Sequence, residues 1–374
     1  MTRLLPLAAL LVVAPLLAAG PTLDPATAKP DAKGDTLWYD VRPLGLEGQA
    51  WADTKAPFDR LPAKAERAVR PAVWGLSRQA AGLCVRFVTA SPSIHARWTV
   101  TNKALAMPHM PATGVSGLDL YARTESGKWG WVANGRPEAE TTSAVLAAGL
   151  PAGEREYLLY LPLYNGVSAV EIGVPKGAAL KKPDPRPAER RKPVVFYGTS
   201  ITQGGCASRP GMVHTAILGR RFDVPVVNLG FSGNGTLDPE VGDLLAEIDA
   251  AAYVLDCLPN LQPKQVEDRT GPFVTALRKA KPDTPIVMVE DRNYANSPWN
   301  ATLKARNAAS QAAFKKAFAA LTAAGVTGLH YLPGDKLIGD DGEGTVDGSH
   351  PTDLGFQRQA DAFAEVLGPV LKGK

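Results

Sequence analysis

The chain is short of the residues on which several functions depend. It has three cysteines, Cys84, Cys206 and Cys257, too few for a disulfide-framework fold and an odd number that leaves at least one thiol unpaired within the chain. No Cys-x-x-Cys or His-Glu-x-x-His pattern occurs, so a structural or catalytic zinc site of the common kinds is not expected, nor is any cofactor. There is no Gly-Lys-Ser/Thr phosphate loop and no Gly-x-Ser-x-Gly elbow. The five histidines are few enough to weigh one by one. Long apolar runs are absent beyond the first twenty residues. Charge of one sign is also scarce, since the net charge is only +4. Much of the basic excess lies in one run, Lys181 to Lys192, interrupted by Pro183, Pro185 and Pro187. That run reads as a solvated linker rather than a nucleic-acid-binding face.

What is present begins with a leader-like segment. Arg3 is followed by the apolar stretch Leu4 to Leu17 and by the small residues Ala18-Ala19-Gly20, the pattern of a secretory signal over residues 1–20. The stretch is marginal for a membrane span, and an uncleaved anchor is the alternative. After cleavage no stable membrane insertion is expected, and the protein would be exported, periplasmic or extracellular. Residues 21–34, rich in Ala, Pro and Thr, read as a disordered lead-in.

Two rhythms divide the remainder of the 374 residues. Over 35–178, short β-branched or aromatic runs are separated by Gly, Pro and Asn. Examples are Leu83 to Val88, Ala96 to Val100 and Leu118 to Arg123, the last turning through Glu125-Ser126-Gly127-Lys128 into Trp129 to Val132. This predicts a β-sandwich. Residues 179–192 form the linker. Over 193–374, continuous apolar strands alternate with helices. Strands are predicted at Val194–Tyr197, Val224–Leu229, Ala252–Leu255, Pro285–Val289 and Val326–Leu332. That order predicts an α/β domain with a five-stranded parallel sheet covered on both faces.

Chemistry-bearing residues fall after those strands, at the edge where open parallel sheets bind ligands. Ser200 follows the first strand and precedes a Gly-rich turn; its bland reading is a turn serine bonding its own backbone. Gly233, in Gly230-Phe231-Ser232-Gly233, follows the second. Asn260, in Leu258-Pro259-Asn260, follows the third and could equally cap a helix. His350 follows the fifth, in Asp347-Gly348-Ser349-His350. Of the five histidines it alone has an aspartate three residues before it, so Asp347 can orient its ring while the other nitrogen takes a proton from Ser200. His95 and His109 read as surface or structural residues of the β region. Asp353 could cap the terminal helix. Arg209 and Trp299 lie in loops after the first and fourth strands and are candidate substrate contacts. Cys206 and Cys257 lie close in sequence to candidate site residues, as a disulfide or as packed thiols.

These four blocks resemble the SGNH/GDSL hydrolase superfamily. The resemblance spans Pro193 to the C-terminus and implies a three-layer, flavodoxin-like α/β/α domain. It implies Ser200 as nucleophile, His350 as base and Asp347 as its orienter. The backbone amides of Ser200 and Gly233, with the Asn260 side chain, are implied as oxyanion donors. Thr199, Pro259 and Leu261 depart from the usual pattern, in which Asp, Gly and Asp stand at those places. Upstream, Gly117-Leu118-Asp119-Leu120-Tyr121 is similar to the Gly-x-Asp-Leu-Tyr signature of a jelly-roll-like β domain that precedes one subgroup. The resemblance implies a serine ester hydrolase acting on short acyl, above all acetyl, groups of small-molecule or polysaccharide esters. A lipid or aryl esterase, or a non-catalytic carbohydrate-binding surface protein, are the alternatives. The oligomeric state is left open.

Overall fold

Strand and helix formation follow the two rhythms. The structure, a computed structural model, describes residues 20–372. The first 19 residues of the leader-like segment therefore lie outside the described residues. The N-terminal half is a sandwich of two antiparallel sheets. In sequence order its strands are β1 (Lys29–Pro30), β2 (Thr36–Asp40), β3 (Leu46–Glu47), β4 (Cys84–Thr89) and β5 (Ser93–Val100), then β6 (Leu118–Arg123), β7 (Trp129–Gly135), β8 (Thr141–Ala148), β9 (Arg155–Tyr160) and β10 (Val167–Pro175). One sheet runs β1-β2-β10-β5-β8 and the other β3-β4-β9-β6-β7. Alternation places Ile94, Ala96, Trp98 and Val100 of β5 in the core between the sheets, while the residues between them reach toward solvent.

The C-terminal half is built on a fully parallel sheet. Its strands are β11 (Val194–Gly198), β12 (Val226–Gly230), β13 (Ala252–Asp256), β14 (Ile286–Val289) and β15 (Leu329–Leu332), in the order β12-β11-β13-β14-β15. Every residue of β11 is buried, as a strand covered on both faces requires. Val195 and Tyr197 face one core and Val194 and Phe196 the other. The helices of this half are α4 (Ser200–Gln203), α5 (His214–Phe222), α6 (Pro239–Leu245), α7 (Pro263–Ala280), α8 (Ala301–Ala323) and α9 (Asp353–Lys372); the N-terminal half carries α1 (Ala65–Ala68), α2 (Pro71–Ser77) and α3 (Ala112–Val115).

Both cores of the parallel sheet recruit the N-terminal half. Leu61, Ala65, Val69 and Val73 join one, and Cys84, Tyr121, Leu158 and Tyr160 join the other. Gly82, at φ +81°, sits against the Cβ of Asn228 on β12. The N-terminal half thus covers the β12 edge that would otherwise be open to pairing.

Two expectations are corrected. The lead-in over 21–34 is ordered: Lys29 and Pro30 pair with Trp38 and Leu37, and the Leu23 N–H donates to the Leu180 carbonyl at 2.8 Å. The edge of β2 and the 180–181 segment offer backbone partners that composition cannot reveal. The 179–192 segment, largely exposed on either side of its buried Leu180 and Arg186, is pinned rather than free. Arg186 is buried and paired with Glu47 and Asp223, and Arg190 also reaches Asp223, at 3.2 Å. Acidic partners from distant elements turn a basic run into a strap across the two halves.

Candidate active site

Ser200 opens α4 directly after β11. Thr199 is its N-cap, with Oγ1 accepting from the Ile201 N–H at 3.2 Å. Threonine therefore serves where the related pattern has aspartate, because a cap needs only an oxygen acceptor. Glycines let this turn sit low on the sheet: a Cβ on Gly230 would strike the backbone of Gln203. Tyr164, from the loop after β9, donates its hydroxyl to the Ser200 carbonyl at 3.1 Å.

The Ser200 hydroxyl lies 2.8 Å from His350 Nε2, and His350 Nδ1 lies 2.7 Å from Asp347 Oδ2. Asp347 Oδ1 accepts from the backbone N–H groups of His350 and Ser349, at 2.7 and 3.0 Å. Partial burial acts to raise the Asp347 pKa, but the His350 backbone and ring bonds outweigh it and hold the carboxyl below its usual value. A carboxylate so held keeps Nδ1 protonated and leaves Nε2 to accept from the serine. Gly348, at φ +87°, makes the tight turn that lets Asp347 reach back to His350.

Gly233 and Asn260 stand at the ends of β12 and β13, on either side of Ser200. Gly233 is exposed, at φ +68°, with open space where a side chain would be. Asn260 closes a 3₁₀ turn, Leu258–Asn260, in which Pro259 pre-sets the first turn. Its Oδ1 accepts from the Gly235 N–H at 3.2 Å, which aims Nδ2 away. The Ser200 and Gly233 amides and Asn260 Nδ2 have no acceptor among the described residues. Leu261 replaces the expected aspartate because its side chain is fully buried in the apolar core.

Other expectations resolve differently. Arg209 pairs with Asp119 Oδ2 at 2.7 Å and with the Tyr121 hydroxyl at 2.5 Å. Asp119, fully buried, also accepts from the Gly211 N–H at 2.8 Å and Trp131 Nε1 at 2.9 Å. The Gly-x-Asp-Leu-Tyr segment thus grips the loop that follows Ser200. Asp353 takes the Ser208 N–H at 3.0 Å as well as its hydroxyl, tying that same loop to the start of α9 just past His350. Trp299 is 91% exposed, and Asn296, three residues before it, packs on Gly348 of the His350 loop. All three cysteines are free and buried; Cys206 and Cys257 are neither bonded to each other nor part of one core.

The sequence reading left Arg60, Gln203 and Arg292 unnamed and set His109 aside as a surface or structural residue. Arg60 is buried in the interface between the halves and donates to the carbonyls of Leu76, Gln79, Asn228 and Gly230 at 2.7–2.9 Å. Gln203 bridges Leu163 and the Ser232 N–H. Arg292, beside Asp291, holds the carbonyl of Ser349 at 3.0 Å. His109 comes to His350, ring centroids 6.2 Å apart. No local pattern marks any of them; each is defined by a partner far away in the chain.

Residues 191–368 match the GDSL-like lipase/acylhydrolase family, and residues 36–180 match the GxDLY family, described as the N-terminus of SGNH-hydrolase-type esterases. The crystal structure of a GDSL-like lipase from Bacteroides ovatus is 37% identical, with a TM-score of 0.85 over 90% of this chain and 98% of that one. The chain belongs to the GDSL-like SGNH hydrolases. As a member of that family it is an ester hydrolase with an N-terminal GxDLY domain. The fold is shared more widely. A salicylyl-acyltransferase from a tetracycline biosynthetic pathway is 21% identical, with a TM-score of 0.71 over 89% of this chain and 97% of that one. A family two carbohydrate esterase from Clostridium thermocellum, solved with a cello-oligosaccharide, is 14% identical, with a TM-score of 0.56 over 77% and 93%. No curated protein matches the chain. No described helix is long and apolar enough to cross a membrane.

Proposed function

We propose that this SGNH hydrolase is an exported serine esterase that removes short acyl groups, acetyl foremost, from carbohydrate. The observation that carries the reading is the unbroken relay from Asp347 through His350 to the Ser200 hydroxyl, at 2.7 and 2.8 Å. Ser200 Oγ attacks the ester carbonyl as its proton passes to His350 Nε2. Negative charge develops on the carbonyl oxygen, for which the Ser200 and Gly233 amides and Asn260 Nδ2 are the donors at hand. The C–O bond to the alcohol breaks, and the alcohol leaves with the proton from Nε2. Water then adds to the acyl-enzyme by the same route in reverse, releasing the acid and restoring Ser200. Asp347 stays ionised and favours the imidazolium that forms in each half-reaction.

The carbohydrate alcohol is supported by the exposed Trp299 on the active-site edge and by the carbohydrate esterases that share the fold. Export rests on the signal pattern at residues 1–20. The experiment is labelling by a fluorophosphonate, followed by acetate release from a panel of acetylated polysaccharides. Labelling lost on heating, together with acetate release, is the expected result. Labelling with turnover only of aryl or long-chain esters would move the substrate class to the lipid or aryl alternative. No labelling at all would leave a non-catalytic carbohydrate-binding protein.

A further inference from the structure

His109 lies 241 residues before His350 and in the other half of the chain, yet the two imidazoles are neighbours, tilted at 49° with centroids 6.2 Å apart. Its position is built rather than incidental. Met107 and Met110 exchange two backbone hydrogen bonds, at 3.0 and 3.1 Å, and close a turn with Pro108 and His109 at its tip. Proline at that place pre-sets the turn. Met110 is 2% exposed and sits in the core shared by the two halves, so the turn is anchored where it leaves the sandwich. His109 itself is exposed.

The edges of the His350 ring are largely spoken for. Nε2 faces Ser200 and Nδ1 faces Asp347. The Cδ2 edge borders Gly205, where an added Cβ would come within 3.2 Å of that atom and 2.9 Å of the Tyr164 hydroxyl. His109 closes a further side of the ring, with its own nitrogens free of acceptors and donors among the described residues.

The alcohol of the ester must leave past His350, because it collects its proton from Nε2. A neutral imidazole offers one donor and one acceptor, a match for a hydroxyl group, and nothing comparable for a simple alkyl or aryl alcohol. The geometry points to His109 as a substrate-contacting specificity residue, supplied by the N-terminal half, that hydrogen-bonds a free hydroxyl next to the ester on a polyhydroxylated alcohol. This rests on the esterase reading above and narrows it to esters with a free neighbouring hydroxyl.

The test compares two substrates differing only at that hydroxyl: a monoacetylated methyl xyloside with the vicinal hydroxyl free, and the same compound with it O-methylated. The full chain should prefer the free hydroxyl by at least about tenfold in kcat/KM, since a site built to bond a hydroxyl rejects the analogue lacking it. In His109→Ala that ratio should collapse to about one, with the loss on the free-hydroxyl substrate mainly in KM. His109→Gln, which keeps a donor and an acceptor, should recover part of the ratio. Fluorophosphonate labelling of each variant at Ser200 shows that the site is folded. An undiminished ratio in labelled His109→Ala overturns the inference while leaving the esterase reading intact. A full chain that neither labels nor turns over either substrate overturns both.

Discussion

The reactive edge of the parallel sheet and the junction between the two halves solve opposite problems. At the edge, Asp347 and His350 are three residues apart, partly exposed, and held by bonds within one loop. At the junction, Asp119 and Arg60 are buried and satisfied by groups of both halves, far from them in the chain. Exposed polar groups can be lost at little cost in folding, whereas a buried charge stripped of its partners costs several kcal/mol. The edge should therefore show its mutations in rate and the junction in stability.

The hardest test of that division is Ser200→Ala. We expect at least about a thousandfold loss of kcat on any ester, with Tm unchanged within about 2 °C. A large drop in Tm would show that Ser200 also supports the fold and would blur the comparison. Asn260→Ala comes next. If Nδ2 donates to the oxyanion, kcat should fall about a hundredfold with KM little changed. Near-normal kcat in a variant weakened by roughly 1 kcal/mol would assign Asn260 to its turn instead.

On the junction side, Arg60→Ala removes a donor from four carbonyls of both halves. A loss of roughly 3 kcal/mol in urea unfolding is expected, with kcat per folded molecule within about threefold of the parent. An equal fall in rate would mean that the junction and the edge act as one unit.

The smallest expected effect lies between the two regions. Asp256, buried at the end of β13, accepts from Thr202 Oγ1 at 3.0 Å. Burial pushes its pKa up to about 7; the Thr202 bond and Arg292 pull it back, and Asp291 adds to the rise. The folded chain therefore keeps a proton on Asp256 that the unfolded chain has already lost between about pH 4 and 7, so this group makes stability fall as pH rises through that window. Asp256→Asn, which resembles the protonated form, should escape that fall. The Tm of the variant relative to the parent should climb by roughly a few degrees from pH 4 to 7. A constant difference would mean that Asp256 ionises normally in the fold.

Legibility in the sequence followed the range of each interaction. Continuous apolar strands alternating with helices exposed the parallel sheet, and the shift to short alternating runs exposed the sandwich, because periodicity is a local property. Val224–Leu229 was placed within about two residues of β12, while β8 and the α1–α2 segment passed unread for want of a strong local pattern. His350 stood out because its aspartate is three residues away, and Ser200 because a strand and a glycine turn frame it.

What the amino-acid order determined by itself was the set of chemical groups, their placement after successive strands, and the local turns that hold Asp347 to His350 and cap Ser200 through Thr199. Only the tertiary structure decided which distant groups complete the site. It paired Arg209 with Asp119, pinned the 181–192 basic run through Arg186, and carried His109 across from the sandwich to His350. The physical reason is that a buried charge takes whatever counter-charge or carbonyl the packing brings within hydrogen-bond reach, and packing depends on burial summed over the whole chain, which no short window of sequence contains.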